Sequence, residues 1–308
     1  MYKHTTDEIV MIRPEKFYGN EETAVNNAYQ NTSDESVDSI QNKAIKEFDD
    51  LVKMLEAKGV KVNVIQDTPS PSTPDSIFPN NWFSTHEGGI MAVYPMFAQN
   101  RQEEIAKFRT EVEKIAQNKN SKKGLFRVFD YSSNRDADKM LEGTGAMVID
   151  RKAKVAYCCL SPRADKELFE QYCQDTGHKA VSFHASQDGM PVYHTNVIMG
   201  IGSKSAIICL DSIEDAAEKA MVRKSLEDAG NKIIEITLEQ VKLFLGNTLE
   251  LKGKDGEFLA MSDTAYNALT EEQKRMIEED TEILHAPIET IEFYGGGSVR
   301  CMLAEIFE

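Results

Sequence analysis

Long hydrophobic runs are missing from this chain of 308 residues. Nothing approaches the roughly 20 consecutive apolar residues that cross a bilayer. The N-terminal stretch MYKHTTDEIVMIRP has neither an apolar core nor a small-residue cleavage site, so no signal peptide is expected. Positive charge is also short: 35 Lys and Arg stand against 51 Asp and Glu, a formal charge of 35 − 51 = −16. A surplus of that sign repels phosphate backbones and anionic lipid, which argues against nucleic acid or a membrane as the main partner. Cysteine is sparse and irregular. Its five positions (Cys158, Cys159, Cys173, Cys209 and Cys301) form no C-x-x-C pair, so neither a zinc site nor a disulfide framework is indicated, and a reducing, cytoplasmic setting is expected. The apolar fraction of 41% is that of an ordinary globular protein, and the length suffices for a full core.

What is present is a recurring order of short strands and amphipathic helices. Apolar residues at Val37, Ile40, Ala44, Phe48, Leu51, Val52 and Leu55 fall at spacings of three and four, which predicts a helix stopped by Gly59. Similar patterns run through Ile105–Ile115, through Ala164–Tyr172 to a stop near Gly177, and from Ile213 to Ala229 before Gly230. A fifth lies over Asp263–Glu278, with Ser262 or Asp263 as its cap. Between them lie runs of strand length: 60–65, 89–93, 126–129, 146–149, 155–158, 197–201, 206–209, 233–236, 248–251 and 257–261. Asp255-Gly256 between the last two marks a hairpin. Several strands per helix, repeated about five times, exceed what a simple doubly wound sheet contains. No linker or charge block divides the chain, so one α/β domain over residues 1–308 is expected. One segment interrupts the pattern: Gln66 to Asn81 holds four of the nine prolines and leads into Trp82, a stiffened loop suited to walling a binding site.

Four motifs place a reactive or polar residue at a strand entrance beside glycine. The C-terminal run Tyr294-Gly295-Gly296-Gly297-Ser298-Val299-Arg300-Cys301 lets backbone approach a ligand closely and sets a thiol at the rim. Read locally, it is also a glycine turn into a last strand with Cys301 buried. Tyr193-His194-Thr195-Asn196-Val197 opens an apolar stretch read as a strand, which would put His194 and Asn196 on one face. Leu141-Glu142-Gly143-Thr144-Gly145 offers a carboxylate that can orient a histidine, or a solvated turn. Gly246-Asn247-Thr248 is a further polar turn.

The ordered set resembles the guanidino-group-modifying superfamily of arginine deiminases, dimethylarginine hydrolases, agmatine deiminases and amidinotransferases. The likeness runs from Arg13-Pro14 through Phe78-Pro79-Asn80-Asn81-Trp82, Glu142-Gly143, the histidine segment and Gly246-Asn247 to the glycine-Arg-Cys ending. It implies a five-bladed, pentein-like α/β propeller of ββαβ units, with Cys301 as nucleophile, His194 as general acid and base, and Glu142 as the supporting carboxylate. It implies no metal and no organic cofactor, and a small amino-acid substrate as partner; a homo-oligomer is left open. An amidinotransferase, in which an amine resolves the adduct, would use the same residues.

Two departures from the guanidine-processing pattern bear on the substrate. Asn81 and Asn196 stand where many such members carry aspartate. A guanidinium offers only donors and keeps its charge, whereas an asparagine both donates and accepts and so matches a neutral ureido group. The expectation is therefore a citrulline-cleaving hydrolase of the citrulline-utilisation type, with arginine or methylated arginine as the alternative, because Glu142 and Asp75 still supply negative charge. Arg13 or Arg300 is expected to hold the substrate carboxylate, and Asn247 to line the pocket.

Overall fold

Four times along the chain the same unit recurs: an antiparallel hairpin, a helix, and a third strand that returns parallel to the second. In the computed structural model, which describes residues 3–121, 124 and 126–308, the first such unit comprises strands Phe83–His86 and Ile90–Val93, helix Gln99–Asn120 and strand Arg127–Asp130. The next has strands Met147–Asp150, Val155–Cys159 and Lys179–Phe183 around helix Lys166–Thr176. Strands Met199–Ile201, Ser205–Ile208 and Lys232–Glu235 with helix Ala216–Asp228 follow. Then come strands Leu249–Lys252, Glu257–Ser262 and Glu282–Ala286. A fifth sheet is assembled from both ends of the chain: C-terminal Ala304–Glu305 pairs antiparallel with Glu8–Arg13, which pairs parallel with Lys61–Gln66 across helix Val37–Ala57. Among the described residues the ladders stay separate, five sheets of three strands each, beside a small hairpin at Ser186–Gln187 and Met190–Pro191. The chain is a single α/β domain.

Local chemistry explains the helices. Helix Val37–Ala57 starts at Ser36, whose side chain accepts from the Ser39 amide, and buries Ile40, Ala44, Phe48, Leu51 and Leu55 at the spacing the sequence shows. Helix Lys166–Thr176 ends at Gly177 in the left-handed region, φ +71°, which a glycine adopts without steric cost. The expected helix over Asp263–Glu278 is instead two, Asp263–Ala268 and Glu271–Glu278, because Thr270 forms a capping box with Gln273 and restarts the chain. Strands Glu8–Arg13, Lys179–Phe183 and Glu282–Ala286 lie outside the runs expected from the sequence and are completed by pairing with a partner far along the chain. Phe83–His86, also outside them, is completed by its hairpin with Ile90–Val93. Among the described residues, no helix is long and apolar enough to cross a membrane.

The first strands of neighbouring units lie side by side: Ala304–Glu305 beside Phe83–His86, and Met199–Ile201 between Met147–Asp150 and Leu249–Lys252. Whatever precedes those first strands is therefore brought together, and that is where the functional motifs lie.

Candidate active site

Each chemically suggestive residue sits in the short turn that enters the first strand of its unit. Asn81 ends the 3-10 turn Pro79–Asn81 before Phe83–His86. Glu142 caps the single-turn helix Gly143–Ala146 before Met147–Asp150, and His194 caps the 3-10 turn Thr195–Val197 before Met199–Ile201. Asn247 precedes Leu249–Lys252, and Cys301 lies in the turn Val299–Met302 before Ala304–Glu305. The expected strand through His194 and Asn196 is thus a 3-10 turn: the Val197 amide bonds to the His194 carbonyl, and pairing begins only at Met199. The helical turn Gly143–Ala146 packs against both Pro79–Asn81 and Thr195–Val197, and Val299–Met302 packs against Pro79–Asn81.

Glu142 and His194 form the centre. Both are buried, with His194 Nε2 2.7 Å from Glu142 Oε2. The other carboxylate oxygen accepts the Phe97 amide at 2.8 Å, and Arg163 Nη1 lies 3.4 Å from Oε2. Burial by itself would raise the Glu142 carboxyl, but the Arg163 charge and the His194 hydrogen bond outweigh it and hold the group well below the usual carboxylate range. Burial pushes His194 down to about 4, with the Glu142 hydrogen bond pulling the other way. An ionised carboxylate only accepts, so the neutral imidazole carries its proton on Nε2 and leaves Nδ1 unprotonated. The Tyr193 ring covers the imidazole, centroids 4.7 Å apart, and stacks under the Arg163 guanidinium at 4.8 Å.

Cys301 is 6% exposed, and two amides reach its sulfur: Asn247 Nδ2 at 3.3 Å and Asn196 Nδ2 at 3.5 Å. Asn247 Nδ2 also bonds the Asn196 carbonyl at 3.2 Å, which ties the two turns together. No carboxylate is among the hydrogen-bond partners of the thiol in the described residues. Several buried polar atoms here have no protein partner: Asn196 Oδ1, Asn81 Nδ2, both side-chain polar atoms of Asn80, and Asp75 Oδ1. Buried groups are rarely left so, and a cluster of them marks a place shaped for something polar.

Gly145 sets the tightest dimension. A Cβ there would lie 2.2 Å from Asn81 Nδ2 and 2.9 Å from both Nδ1 and Cε1 of His194. Exchange to alanine is expected to displace both side chains and lower kcat/KM roughly 100-fold. Steady-state kinetics on a Gly145→Ala protein that melts normally checks this, and unaltered turnover would mean the two side chains move aside freely.

Asp75 joins the cluster, its Oδ2 accepting from Asn20 Nδ2 at 2.8 Å and Thr23 Oγ1 at 3.0 Å. Arg13 and Arg300 do not. Arg13 is engaged bidentately by Asp49 on the outer helix, at 2.7 and 2.9 Å. Arg300 turns from the thiol beside it toward the Leu303 carbonyl at 3.0 Å and Glu305 at 3.3 Å. Both charges are already satisfied, so neither is placed to receive a substrate carboxylate. The proline-dense loop is held by Asp67, which accepts from Thr73 and Ser76 and pairs with Lys107 at 2.5 Å. It delivers Asn80 and Asn81 rather than covering them. A further segment, Asn20 to Asn27, reaches the cluster without any motif that marks it in the sequence. Asn20 and Thr23 bind Asp75, Asn26 and the Thr23 carbonyl bind Arg163, and Asn27 reaches the Gly295 carbonyl at 3.3 Å. Beside it opens a cavity of about 700 Å³ lined by Asn26, Asn27, Tyr29, Tyr193, Phe244 and Glu292.

Arg101 and Arg163 also belong to the site, although no motif marks them in the sequence. Both are buried, at 2% exposure, in a chain whose arginines mostly read as surface charge. The only signal was position, since Arg101 follows Asn100 at the start of a helix and Arg163 follows a Ser-Pro turn.

Residues 13–308 match the family model described as N,N dimethylarginine dimethylhydrolase, eukaryotic. The chain belongs to this family. Membership makes it a hydrolase of non-peptide C–N bonds within the guanidino-modifying superfamily. No curated protein matches in sequence. Among solved structures, this dimethylarginine hydrolase family member is similar to ArgZ, an arginine dihydrolase from the ornithine–ammonia cycle in cyanobacteria, with TM-score 0.76 and 16% identity over 98% of this chain. It spans about 40% of the full ArgZ chain. The isolated N-terminal domain of ArgZ, a cysteine-to-serine mutant bound to substrate, gives 0.75 and 16% over 98% of both chains. A histidine-to-glycine dimethylarginine dimethylaminohydrolase, as its adduct with S-methyl-L-thiocitrulline, gives 0.64 and 13% over 99% of both. At such identities the likeness is one of fold.

Proposed function

We propose that this enzyme hydrolyses the ureido group of citrulline to yield ornithine, through a covalent adduct on Cys301. The observation that carries the reading is the amide lining of the thiol. Asn196 and Asn247 flank Sγ, and Asn196 Oδ1 remains free to accept from an N–H of the substrate. A neutral group with one carbonyl and several N–H bonds satisfies such a lining. A guanidinium there would be a buried charge without a carboxylate beside the sulfur. The five units, with the sheet built from both chain ends, are read as a five-bladed propeller whose axis runs through this cluster, and the chain as one catalytic domain.

In the proposed course, the Cys301 sulfur attacks the ureido carbon. The thiol proton passes by way of His194 Nδ1 to the δ-nitrogen as the C–N bond breaks and ornithine departs, and an S-carbamoyl cysteine remains. Water, its proton taken by the imidazole, then attacks the carbamoyl carbon and returns the thiol. The released carbamate falls to ammonia and carbon dioxide. Glu142 holds the imidazole in one tautomer and stabilises its charged form as the proton passes.

A second reading, arginine or a methylated arginine as substrate, is favoured by one specific feature, the unpartnered Oδ1 of Asp75. The two separate in a product assay with citrulline, arginine and dimethylarginine supplied singly. Ornithine from citrulline, absent with Cys301→Ala, is the expected result. Citrulline from arginine would move the assignment to the second reading, and no product from any of the three would overturn both.

A further inference from the structure

We propose that the cavity beside Asn26 and Tyr193 is a second binding site, separate from the catalytic cluster, for an organic cation with an apolar body. The site is independent of the substrate assignment above.

At about 700 Å³ the cavity is of the size that takes a small molecule. None of Asn81, Glu142, His194, Asn196 and Cys301 lines it. The wall toward them is Tyr193, whose ring covers the imidazole, and Asn26, which holds Arg163. The interior is aromatic: the Tyr29 ring lies 5.7 Å from Phe244 and 6.1 Å from Tyr193, centroid to centroid. Around the opening stand Val25, Met190 and Phe293, 72, 57 and 42% exposed. Single exposed apolar side chains are ordinary on a protein surface, but three around one mouth mark a place where something apolar enters.

The charges of the lining select the occupant. Glu292 is buried, 4% exposed, and its oxygens accept from hydroxyls, Oε1 from Ser298 Oγ and Oε2 from Thr264 Oγ1, both at 2.6 Å. Buried Glu142, Glu104 and Glu305 each face an arginine. Glu292 has no cationic partner among the described residues. Burial raises its carboxyl, against the pull of those hydroxyls, and the Glu289 charge one helical turn away adds to the rise. Glu289 and Asp188 line the same cavity. The one cation among the described lining residues, Lys242, is already held by Asp188 at 3.2 Å and Glu239 at 2.9 Å. An anion would meet three carboxylates here, and a neutral ligand would leave Glu292 uncompensated. A cation supplies the charge that Glu292 lacks, and the rings hold its body.

Glu292 is also shared with the catalytic turn, because Ser298, which donates to it, accepts the Cys301 amide on its carbonyl at 3.0 Å. Glutamine can keep both hydroxyl contacts, so Glu292→Gln removes the charge and leaves that turn in place.

Two probes differ only in the charge: dansylcadaverine, an aromatic body on a primary ammonium, and its N-acetyl derivative. In fluorescence titrations the parent protein is expected to bind the ammonium about tenfold or more tighter than the acetylated form. Glu292→Gln is expected to bring the two dissociation constants within about threefold of each other. Glu289→Lys changes an exposed side chain. It is expected to weaken the ammonium about threefold or more and to leave the acetylated probe unchanged. Should Glu292→Gln not fold, Glu289→Lys decides alone. Equal affinity of the parent for both probes overturns the proposal. A charge preference that survives undiminished in every folded variant overturns it as well, because the probe then sits in the catalytic cluster, where neither glutamate lies.

Discussion

Exchange of Cys301 for serine is expected to lower turnover by about 10,000-fold or more and to leave the unfolding free energy within about 1 kcal/mol. The sulfur is buried among amides, and a hydroxyl fits the same space and accepts from the same Asn196 and Asn247 donors. What is lost is nucleophilicity, because no base lies against the side chain to compensate for a hydroxyl. Glu142→Gln should behave differently. An amide at that position can turn its NH2 toward the imidazole and release the tautomer, which lowers turnover roughly 100- to 10,000-fold. It also leaves the buried Arg163 without its carboxylate, and breaking a buried pair costs about 3–5 kcal/mol. Kinetics and urea unfolding on the two variants separate a loss of chemistry from a loss of chemistry and stability together. Equal stability loss in both would refute the assignment of Glu142 as the anchor of a charged network.

Acid should unfold this protein at a higher pH than its carboxylates alone would dictate. Burial lowers three histidines: His86 well below its ordinary value, with the Arg151 charge adding to the effect, His178 to about 3 and His194 to about 4. In each case the unfolded chain, with an ordinary imidazole near 6.5, binds the proton that the native state refuses. Stability is therefore complete above about pH 6.5 and is lost as pH falls, at about 1.4 kcal/mol per pH unit for each histidine and about 4 for the three. The carboxylates held below their usual range, Glu142 and Glu305 among them, act in the same direction only once pH drops below about 4.5. Loss between pH 6.5 and 4.5 thus belongs to the histidines, offset in part by buried carboxyls that bind a proton more readily in the native state, Glu104 pushed up to about 7 and Glu47 and Glu292 raised. Urea unfolding at pH 7.5, 6.0 and 5.0 is expected to show it, and His178→Gln should reduce the slope by at least one third. A flat profile down to pH 5 would mean that the three rings take up protons in the folded state.

The amino-acid sequence by itself determined the local elements and the reactive residue types. Helix Val37–Ala57 follows from its apolar spacing, the end of helix Lys166–Thr176 from Gly177, and the hairpin through Asp255-Gly256 from its turn chemistry. These are consequences of one or two turns of chain and need no distant partner. The motifs around Glu142, His194, Asn247 and Cys301 were legible for the same reason, since each is a short polar turn entering a strand.

The tertiary structure alone decided which residues meet. Parallel and end-to-end pairing placed those turns side by side, made a 3-10 turn of the segment after His194, and completed strands such as Glu8–Arg13 whose partners lie far along the chain. Arg13, part of the family likeness, was drawn to Asp49 because a parallel strand sets it against an outer helix. Arg101 and Arg163, silent in the sequence, became the buried cations of the site, because only the folded chain excludes water from around them and surrounds their N–H groups with acceptors. A donor's partner across 20 residues or 140 is a property of the packing, and no local pattern encodes it.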